Sequence, residues 1–507
     1  MNESPGGPQA DAAMSDARLR WSVYAILIAV AVGQWSGRIL AVNSVDVVRL
    51  ESYRIDQRLR DFRAEQAEGG LAGDQLDAKV ERKRADLEEK LRLQRPFLSS
   101  NDRSRWVAIR ALVEGGTFAI DDYVSQPGWD TIDKVRHKDA NGELHYYSSK
   151  PPLLYILLAG EYWLVNKATG WTLGDEPYAV GRLMLLTFSV LPFALMLTLV
   201  AALAERFCVS TWARVYVVAC ASFGTMLSAF AVVLNNHLFA AVATAVTLYC
   251  WVRIRETKDF QFRWFALAGL AAAFTAANEL PALAMLVGVG LSLLAYDARG
   301  TLLGYAPAAL LVAVAFFGTN YYAHNSLRPP YMHRDKENVE DNWYHYPNSH
   351  WDNPKGMDQG EECQGVYALH ALVGHHGLFS LTPIWLLSVA GSIAWLFRGS
   401  GLRRELAFGV LGLTLVVLVF YLGLRPQADR NYGGMTNGLR WVFWFAPLWL
   451  ATMSPAVDWA ARTAGGRALA MTLLAFSALS AAFPTWNPWS QPWVYHWMQW
   501  CGFDLLG

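Results

Sequence analysis

The sequence predicts an all-α integral membrane protein with about eleven transmembrane helices, outer juxtamembrane helices and an inserted helical hairpin. Three observations predict it. Of the 507 residues, 53% are hydrophobic and only 17% are charged, whereas about a quarter of the residues in a soluble protein are charged. Long apolar runs recur from residue 21 to residue 484. One polar segment between them carries charged residues with leucines at heptad-like spacing.

The apolar and polar runs divide the chain into seven predicted segments. The first apolar run lacks a small-residue cleavage site, which favours a retained anchor over a cleaved signal. In chain order, the segments are a disordered cytoplasmic tail (1–20), the first transmembrane helix (21–42), a first outer loop (43–177), helices 2–7 (178–322), a second outer loop (323–377), helices 8–11 (378–484) and a Trp-rich outer tail (485–507).

The predicted spans vary in length around the roughly 20 apolar residues that a crossing requires. Two of them, 238–252 and 264–277, are short. The predicted spans are 21–42, 178–203, 212–234, 238–252, 264–277, 280–296, 302–322, 378–397, 406–424, 441–459 and 469–484.

The distribution of basic residues predicts the orientation of the chain in the membrane. It also predicts whether one further apolar run, 153–167, crosses the membrane. If this run lies flat on the membrane, nearly every basic cluster beside a span falls on one side, as the positive-inside rule requires. We therefore expect an amphipathic juxtamembrane helix there, with Pro151 and Pro152 in its first turn. The N-terminus is then cytoplasmic and the large loops lie outside.

Residues 55–95 of the first outer loop predict a helical hairpin. Apolar residues recur at helical spacing on both sides of the Gly69-Gly70 break. A spacer or partner-docking element is favoured over a catalytic one. The apolar positions are Ile55, Leu59, Phe62, Leu76, Val80, Leu87 and Leu91.

Two charged residues in this loop are candidates for chemistry, and each has a structural alternative. Asp102 precedes a predicted helix, 106–113, and could cap it or act as a functional carboxylate. The neighbouring Arg103 and Arg105 could pair with it or bind phosphate through two hydrogen bonds. Lys150, before Pro-Pro, could hold the phosphate of a lipid carrier or simply extend its ammonium to the interface.

Further polar groups are candidate substrate-binding residues. Asp121, Asp122 and Trp129 combine acceptors with a flat apolar face, which suits a polyhydroxylated ligand or, equally, a solvated loop. A carboxylate between apolar runs is a functional candidate, although we expect Glu279 at the outer surface. The same outer helix ends carry Asn236 and His237.

The last candidates lie in the second and third outer segments. Arg425, Arg430 and Arg440 flank Asn431-Tyr432-Gly433-Gly434, a basic Gly-bearing loop that could bind an anion or be a plain turn. His370, His375 and His376 raise the possibility of zinc. A spacing of five is wrong for two ligands on one helix face, so a turn that hydrogen-bonds substrate or backbone is favoured. The sequence thus assigns no metal or other cofactor, and it leaves binding of a divalent ion as an alternative.

Several classes of function are disfavoured. Zero net charge argues against nucleic acid as a partner. The chain contains neither a Walker loop nor a Gly-x-Gly-x-x-Gly motif after a strand, so a cytosolic nucleotide donor is not expected. Cys363 and Cys501 fall in polar segments, but their spacing does not support a disulfide.

The order of motifs resembles the GT-C superfamily of polytopic glycosyltransferases, in the protein-mannosyltransferase-like and aminoarabinose-transferase-like branches. After one span comes an outer loop with Asp102 and an aromatic-containing helix, then Gly116-Thr117-Phe118. Lys150-Pro151-Pro152-Leu153 opens a further helix, and Gly181-Arg182-Leu183 starts the second span. The remaining spans are similar only in topology.

The resemblance implies transfer of a sugar from a polyprenyl-phosphate donor to a protein, lipid or glycan outside the membrane. It implies that Asp102 is the general base, that Lys150 neutralises the leaving phosphate and that Arg440 assists. Two departures are present: Arg103 follows Asp102 where many relatives have Glu, and Asn235-Asn236-His237 stands where many have a second acid. Glu279 is the candidate substitute for that acid.

Two other functions remain open. One is a non-catalytic or transport membrane protein that handles lipid-linked glycans. Transporters place ionisable residues at mid-membrane and often contain inverted repeats, and the sequence contains few such charges. The other is a scaffold that recruits partners through the hairpin.

Overall fold

The computed structural model describes residues 8–41, 47–91, 97–126, 128–257, 261–335, 337–354, 356–360, 362–484 and 487–503. The chain folds as two compact units. We call Gly37–Leu186 with Phe317–Asp352 the loop unit, and Met1–Ser36, Thr187–Phe316 and Asn353–Gly507 the membrane unit. Parts of the predicted segments lie outside the described residues. They include the junction of the first span with the first outer loop (42–46), the end of the hairpin (92–95) and residues 485, 486 and 504–507 of the outer tail.

The first helix begins earlier than predicted. Helix α1 runs over Pro8–Ala41, so the prediction of a disordered tail over 1–20 is wrong from Pro8 onwards. Alanine has the highest helix propensity, and four alanines between positions 10 and 17 favour extension of the apolar helix towards the N-terminus. The predicted tail residues 1–7 lie outside the described part of the chain.

The loop unit contains short helices and one two-stranded sheet, so the prediction of an all-α protein is wrong in this detail. Strands β1 and β2 are antiparallel, with Lys134 opposite Ser148. Asp139 accepts hydrogen bonds from the amides of Asn141 and Glu143 in the turn. The elements are α2 (Val47–Glu68), α3 (Asp74–Leu91), α4 (Ser100–Arg110), α5 (Asp121–Val124), β1 (Lys134–Lys138), β2 (Leu144–Ser148), α6 (Pro152–Thr169) and α7 (Pro177–Leu185).

Helices α2 and α3 form the helical hairpin that the apolar spacing predicts. Ile55, Leu59 and Leu87 bury their side chains together, and Val80 packs against them. Glycine is needed in the connecting turn, because Gly70 has a φ of 87°. The hairpin therefore has a small apolar core of its own.

The membrane unit is helical throughout most of its described length. Besides α1, its helices are α8 (Leu191–Phe207), α9 (Thr211–Phe223), α10 (Leu227–Phe230), α11 (Asn236–Glu256), α12 (Phe262–Asn278), α13 (Leu283–Tyr296), α14 (Ala298–Gly300), α15 (Ala306–His324), α16 (Gln364–Leu372), α17 (Leu378–Leu381), α18 (Trp385–Arg398), α19 (Leu402–Leu418), α20 (Ala446–Thr452), α21 (Ser454–Ala460), α22 (Ala464–Ala482) and α23 (Trp493–Trp500). A 3₁₀ segment, Arg440–Phe445, precedes α20.

Seven helices in the described chain are long and apolar enough to cross a membrane, which indicates a multi-pass membrane protein. The predicted count of about eleven is not confirmed. Two further predicted spans are shorter apolar helices, Leu280–Tyr296 and Trp385–Arg398. The seven are Ser15–Ala41, Pro177–Phe207, Thr211–Phe230, Asn236–Glu256, Ala298–His324, Leu402–Leu424 and Ala464–Ala482.

The predicted span 441–459 is not a continuous helix. It consists of the 3₁₀ segment followed by α20 and α21, each with a proline in its first turn. Proline has no backbone N–H and clashes with the preceding helical turn. Pro447 and Pro455 therefore break an apolar run that hydropathy alone predicts as one span.

A buried ion cluster joins the first helix to α8. The Arg20 guanidinium donates two hydrogen bonds, of 2.8 and 2.9 Å, to the Glu205 carboxylate. The Tyr24 hydroxyl donates to the same group at 2.7 Å. Arg214 lies 3.5 Å from its other oxygen. Charges in an apolar unit are costly unless paired, and this cluster pairs them.

Candidate functional site

Asp102 lies in the first turn of α4 and does not cap it. Ser99 is the cap: its hydroxyl accepts a hydrogen bond of 3.1 Å from the Asp102 amide. The helix therefore starts six residues earlier than predicted. Asp102 is only 2% exposed. A carboxylate in the first turn interacts favourably with the helix dipole.

Ser104 anchors α4 to the end of the β-hairpin. Its hydroxyl donates to the Asp133 carbonyl at 2.6 Å and lies 2.8 Å from the Ser148 hydroxyl, which is thus the donor of that second bond. The Ser149 amide donates to the same Asp133 carbonyl at 3.1 Å. Helix α4 also packs against β2 and α6. These contacts fix the helix that carries Asp102 against the segment that leads to Lys150.

Lys150 lies between β2 and α6, and its ammonium is 3.0 Å from the Asp133 carboxylate. The two side chains are 15% and 17% exposed. An ion pair this far from solvent is weakly screened. The Lys150 ammonium is therefore held in one place near the start of α6. A lysine that only extends its ammonium to the membrane interface does not require such a fixed position.

The two arginines beside Asp102 hold backbone and side-chain oxygens within the loop unit. Arg103 donates to the carbonyls of Asp130 at 2.8 Å and Phe97 at 3.1 Å. Arg105 donates to the Asn101 side-chain oxygen at 2.7 Å. Both arginines are about 95% buried. These bonds give Arg105 a structural role, and its binding of phosphate stays a prediction.

The three residues predicted to contact a sugar do not form one surface. Asp121 accepts hydrogen bonds from the Tyr146 amide at 3.1 and 3.2 Å, which fixes α5 against β2. Asp122 is exposed. Trp129 is 4% exposed, and the Arg110 guanidinium covers its ring at 4.6 Å. The expectation that Trp129 offers a flat face to a ligand is therefore wrong.

Four predicted candidates meet in the membrane unit, in a cluster that we call the Glu279 network. Asn236 donates to the Glu279 carboxylate at 2.8 Å, and His237 Nδ1 donates to the same oxygen. Arg440 Nη1 donates to His237 Nε2 at 2.9 Å. His237 is 1% exposed and Glu279 is 4% exposed. Glu279 directly follows α12, and its expected place at the outer surface of the membrane stays a prediction.

The Glu279 network fixes one tautomer of His237. Since arginine can only donate, Nε2 of His237 is the acceptor and the ring proton is on Nδ1. The Arg440 Nε donates to the Gly433 carbonyl at 2.8 Å. A Cβ at Gly433 would lie 2.7 Å from the Arg440 Nε, and the φ of Gly433 is 95°. Glycine is needed there for the close approach of Arg440.

A second cluster of the membrane unit, which we call the His375 cluster, contains Glu362, His370 and His375. One donor atom from each lies within 4.8 Å of the others. The His370 and His375 rings stack at 4.0 Å. The two histidines do not share a helix face, because α16 ends at Leu372 and the chain turns back before His375. Two imidazoles and a carboxylate are donors that could hold a divalent metal.

The residues around the His375 cluster set its charge state. Burial lowers the pKa of His375 to about 2 and that of His376 to about 3, so both rings are neutral at physiological pH. The Tyr432 hydroxyl donates to Glu362 Oε2, and the Tyr432 ring stacks on His376 at 4.9 Å. Burial, followed by the hydrogen bond to Glu362, raises the Tyr432 pKa far above its usual range.

An apolar cavity of about 400 Å³ lies among α11, α13 and α19 of the membrane unit. Its lining includes Leu248, Met285 and Leu413. Trp251 donates to the Ser292 hydroxyl at 2.8 Å, and Ser292 donates to the Glu405 carboxylate at 2.5 Å. The cavity thus combines an apolar wall with one polar group of side chains.

Comparison with known proteins gives no match to any family model or to any curated protein sequence. The resemblance to GT-C glycosyltransferases therefore stays a prediction from the motifs. Two residues outside the predicted set lie beside predicted ones: the Asp133 carboxylate pairs with Lys150, and Glu362 lies near His370 and His375.

Proposed function

We propose that the chain is a membrane glycosyltransferase that moves a sugar from a polyprenyl-phosphate donor to an acceptor on the outer side. One observation supports this most strongly. The buried Asp102 lies on a helix that packs against α6, and Lys150, directly before α6, is held by Asp133. A fixed acid and a fixed cation in one unit are the two groups that such a transfer needs.

The reaction assigns a separate role to each group. The acceptor hydroxyl gives its proton to the Asp102 carboxylate as its oxygen attacks the anomeric carbon. The bond from that carbon to the phosphate oxygen breaks, and its electron pair leaves with the lipid phosphate. Lys150 neutralises the charge that develops on this phosphate. Asp133 positions Lys150 before the donor binds.

The surface of α6 supports a donor with a lipid tail. One face of the helix is buried, whereas Leu157, Trp163 and Leu164 on the other are each at least 50% exposed. Leucine and tryptophan at the surface suit the interface of a bilayer. We assign α6 to the outer surface of the inner cell membrane, with the N-terminus in the cytoplasm.

The Glu279 network has a positioning role in this proposal. Glu279 and His237 orient the guanidinium of Arg440, the second cation that the resemblance assigns to phosphate. The Glu279 carboxylate is occupied by two hydrogen bonds from neighbouring side chains. We therefore assign the proton transfer to Asp102 rather than to Glu279.

The test uses membranes that contain the protein and a set of polyprenyl-phosphate sugars labelled in the sugar. We expect release of lipid phosphate with one donor class, and at least about 100-fold slower release for Asp102→Asn, since general bases contribute that much or more. The matched control is Asp61→Asn, which removes an exposed carboxylate from the helical hairpin of the same unit.

Two results would contradict this assignment. One is turnover by Asp102→Asn at the wild-type rate, with equal abundance in the membrane. The other is the absence of lipid-phosphate release by the wild-type protein from every donor in the set. Thermal unfolding of both variants separates loss of chemistry from loss of folding.

Transport of a lipid-linked glycan is the second candidate, and the apolar cavity beside Glu405 favours it. A transporter would move the intact donor across vesicles without breaking its phosphate bond. Glu405→Gln would then slow movement, whereas Asp102→Asn would leave it unchanged. Cleavage of the donor by purified protein would exclude this alternative as the main activity.

A further inference from the structure

We infer that Glu362, His370 and His375 bind a divalent transition-metal ion, with zinc as the best-fitting probe. The three residues lie in the membrane unit, and their donor atoms are all within 4.8 Å of one another. This site is separate from Asp102 and Lys150, and it does not depend on the proposed transfer reaction.

The distances are close to those of a bound ion. Two donors that are each about 2.1 Å from zinc can be at most about 4.2 Å apart. Side-chain movements of about half an ångström, with rotation of the stacked His370 and His375 rings so that both lone pairs point to one ion, would therefore close the cluster. Two imidazoles and one carboxylate form a known zinc ligand set that leaves a fourth position for water.

His375 has a buried nitrogen that a metal would satisfy. The residue is 1% exposed, and its Nε2 has no hydrogen-bond partner within the described chain. A buried polar atom without a partner costs free energy. Its other nitrogen, Nδ1, lies 2.5 Å from His376 Nδ1. If Nδ1 of His375 carries the proton and donates it to His376, Nε2 has a lone pair for the ion.

A hydrogen bond from a neighbouring side chain also orients Glu362. The Tyr432 hydroxyl donates to Oε2 of this carboxylate, which leaves Oε1 for the metal. Hydrogen bonds from a surrounding shell commonly orient the ligands of metal sites. The His375–His376 and Glu362–Tyr432 pairs supply that shell on two of the three ligands.

The local backbone explains how two histidines five positions apart come together. The Gly374 amide donates to the Leu369 carbonyl at 2.9 Å, which turns the chain back at the end of α16. A Cβ at Gly374 would lie 2.3 Å from His370 Nδ1. Only glycine lets the backbone pass this close to the His370 ring and place His375 over it.

The experiment uses the full-length protein in detergent, purified without a polyhistidine tag. After removal of metals with a chelator, zinc is added, excess is removed by gel filtration, and bound zinc is measured by mass spectrometry. We expect one ion per chain in the wild-type protein and background levels in His375→Ala. The matched control is His496→Ala, an exposed histidine of the same unit, which should retain the ion.

Three further measurements keep the test valid if His375→Ala misfolds. Glu362→Gln preserves side-chain shape and should lower zinc affinity at least 10-fold. Cobalt(II) bound to the wild-type protein should give visible absorption bands, which are lost on addition of excess zinc. Zinc should also raise the Tm of the wild-type protein, because binding to the folded state alone stabilises it.

The inference is overturned if the wild-type protein retains no more zinc than His375→Ala does. Equal loss of zinc in His496→Ala and His375→Ala also overturns it, because binding would then be unspecific. Absence of cobalt bands in the wild-type protein is a third contrary outcome. None of these results bears on Asp102, whose test is release of lipid phosphate.

Discussion

The Lys150 ammonium is held 3.0 Å from the Asp133 carboxylate, and less than one fifth of either side chain is exposed. The backbone carbonyl of Asp133 also accepts hydrogen bonds from the Ser104 hydroxyl and the Ser149 amide. One residue thus orients the cation with its side chain and α4 with its backbone. Substitutions of Asp133 and of Lys150 should therefore both weaken use of the donor.

Asp133→Asn should weaken donor use, because the lysine loses the charge that fixes it. We expect the KM for the donor to rise about 10-fold, equivalent to about 1.4 kcal/mol, with the KM for the acceptor unchanged. Lys150→Ala should have a larger effect of the same kind. The control Lys167→Ala removes an exposed lysine near the other end of α6. A normal donor KM in Lys150→Ala would reduce Lys150 to an interfacial anchor.

Glu279→Ala should destabilise the membrane unit. It removes the acceptor of the buried His237 Nδ1–H, which costs about 1–3 kcal/mol, whereas Asn236 keeps its hydrogen bond to the Asn278 carbonyl. Denaturant unfolding in detergent would measure the loss. Glu143→Ala, whose side chain is 76% exposed, serves as the control. Equal unfolding midpoints for the two variants would contradict the structural role of the network.

Gly391→Ala should destabilise the packing of α18. A Cβ at this position would lie 2.1 Å from the Thr452 carbonyl oxygen, which belongs to α20. Overpacking of this kind costs about 1–3 kcal/mol. The matched control is Gly412→Ala on α19, where a Cβ meets nothing within 4 Å. We expect a lower Tm for the first variant and an unchanged or higher Tm for the second.

Acidification should destabilise the β-hairpin through His137. Burial lowers the pKa of His137 to about 4 from 6.5, so the unfolded chain binds a proton more readily than the folded one. The contribution of the neutral His137 ring to the free energy of unfolding is complete above pH 6.5, and it is lost as the pH falls towards 4. A shift of this size corresponds to about 3 kcal/mol. Tyr147 and Trp343 stack on the two faces of the ring.

His137→Phe keeps the stacking and removes the titrating group, so it tests the sign of this dependence. We expect its Tm to fall less than that of the wild-type protein between pH 6.5 and pH 4. His333, Asp139 and His145 also influence the charge on His137, and His324 Nδ1 lies 3.0 Å from His137 Nε2. These four residues are present in each protein. Parallel curves for the two proteins would show that another group controls the acid sensitivity.

Hydropathy predicts a span at each of the seven long apolar helices. It placed a span at 441–459, where Pro447 and Pro455 interrupt the helix. It also missed the β-hairpin, although Asn141-Gly142 between alternating residues is a recognised turn signal. That signal lies in a short polar segment where the membrane pattern gives no information.

The candidate site was predicted residue by residue but not as a set of contacts. His237 lies 42 positions from Glu279 and 203 positions from Arg440, and no periodicity links such distant residues. Asp133 and Glu362 were missed for a related reason, because each matters only through a partner that the fold brings close. The Asp133–Lys150 pair depends on the β-hairpin, which had not been predicted.

The ion cluster of the first helix has a consequence for biosynthesis. Glu205 follows Arg20 by 185 residues, so α1 emerges from the ribosome long before the carboxylate that neutralises its arginine. During this interval Arg20 lacks the Glu205 partner, and a cation near the start of α1 agrees with the cytoplasmic N-terminus that we propose. Synthesis of α8 then supplies the partner. In this proposed orientation, Glu205 would neutralise Arg20 only after the first helix has entered the membrane.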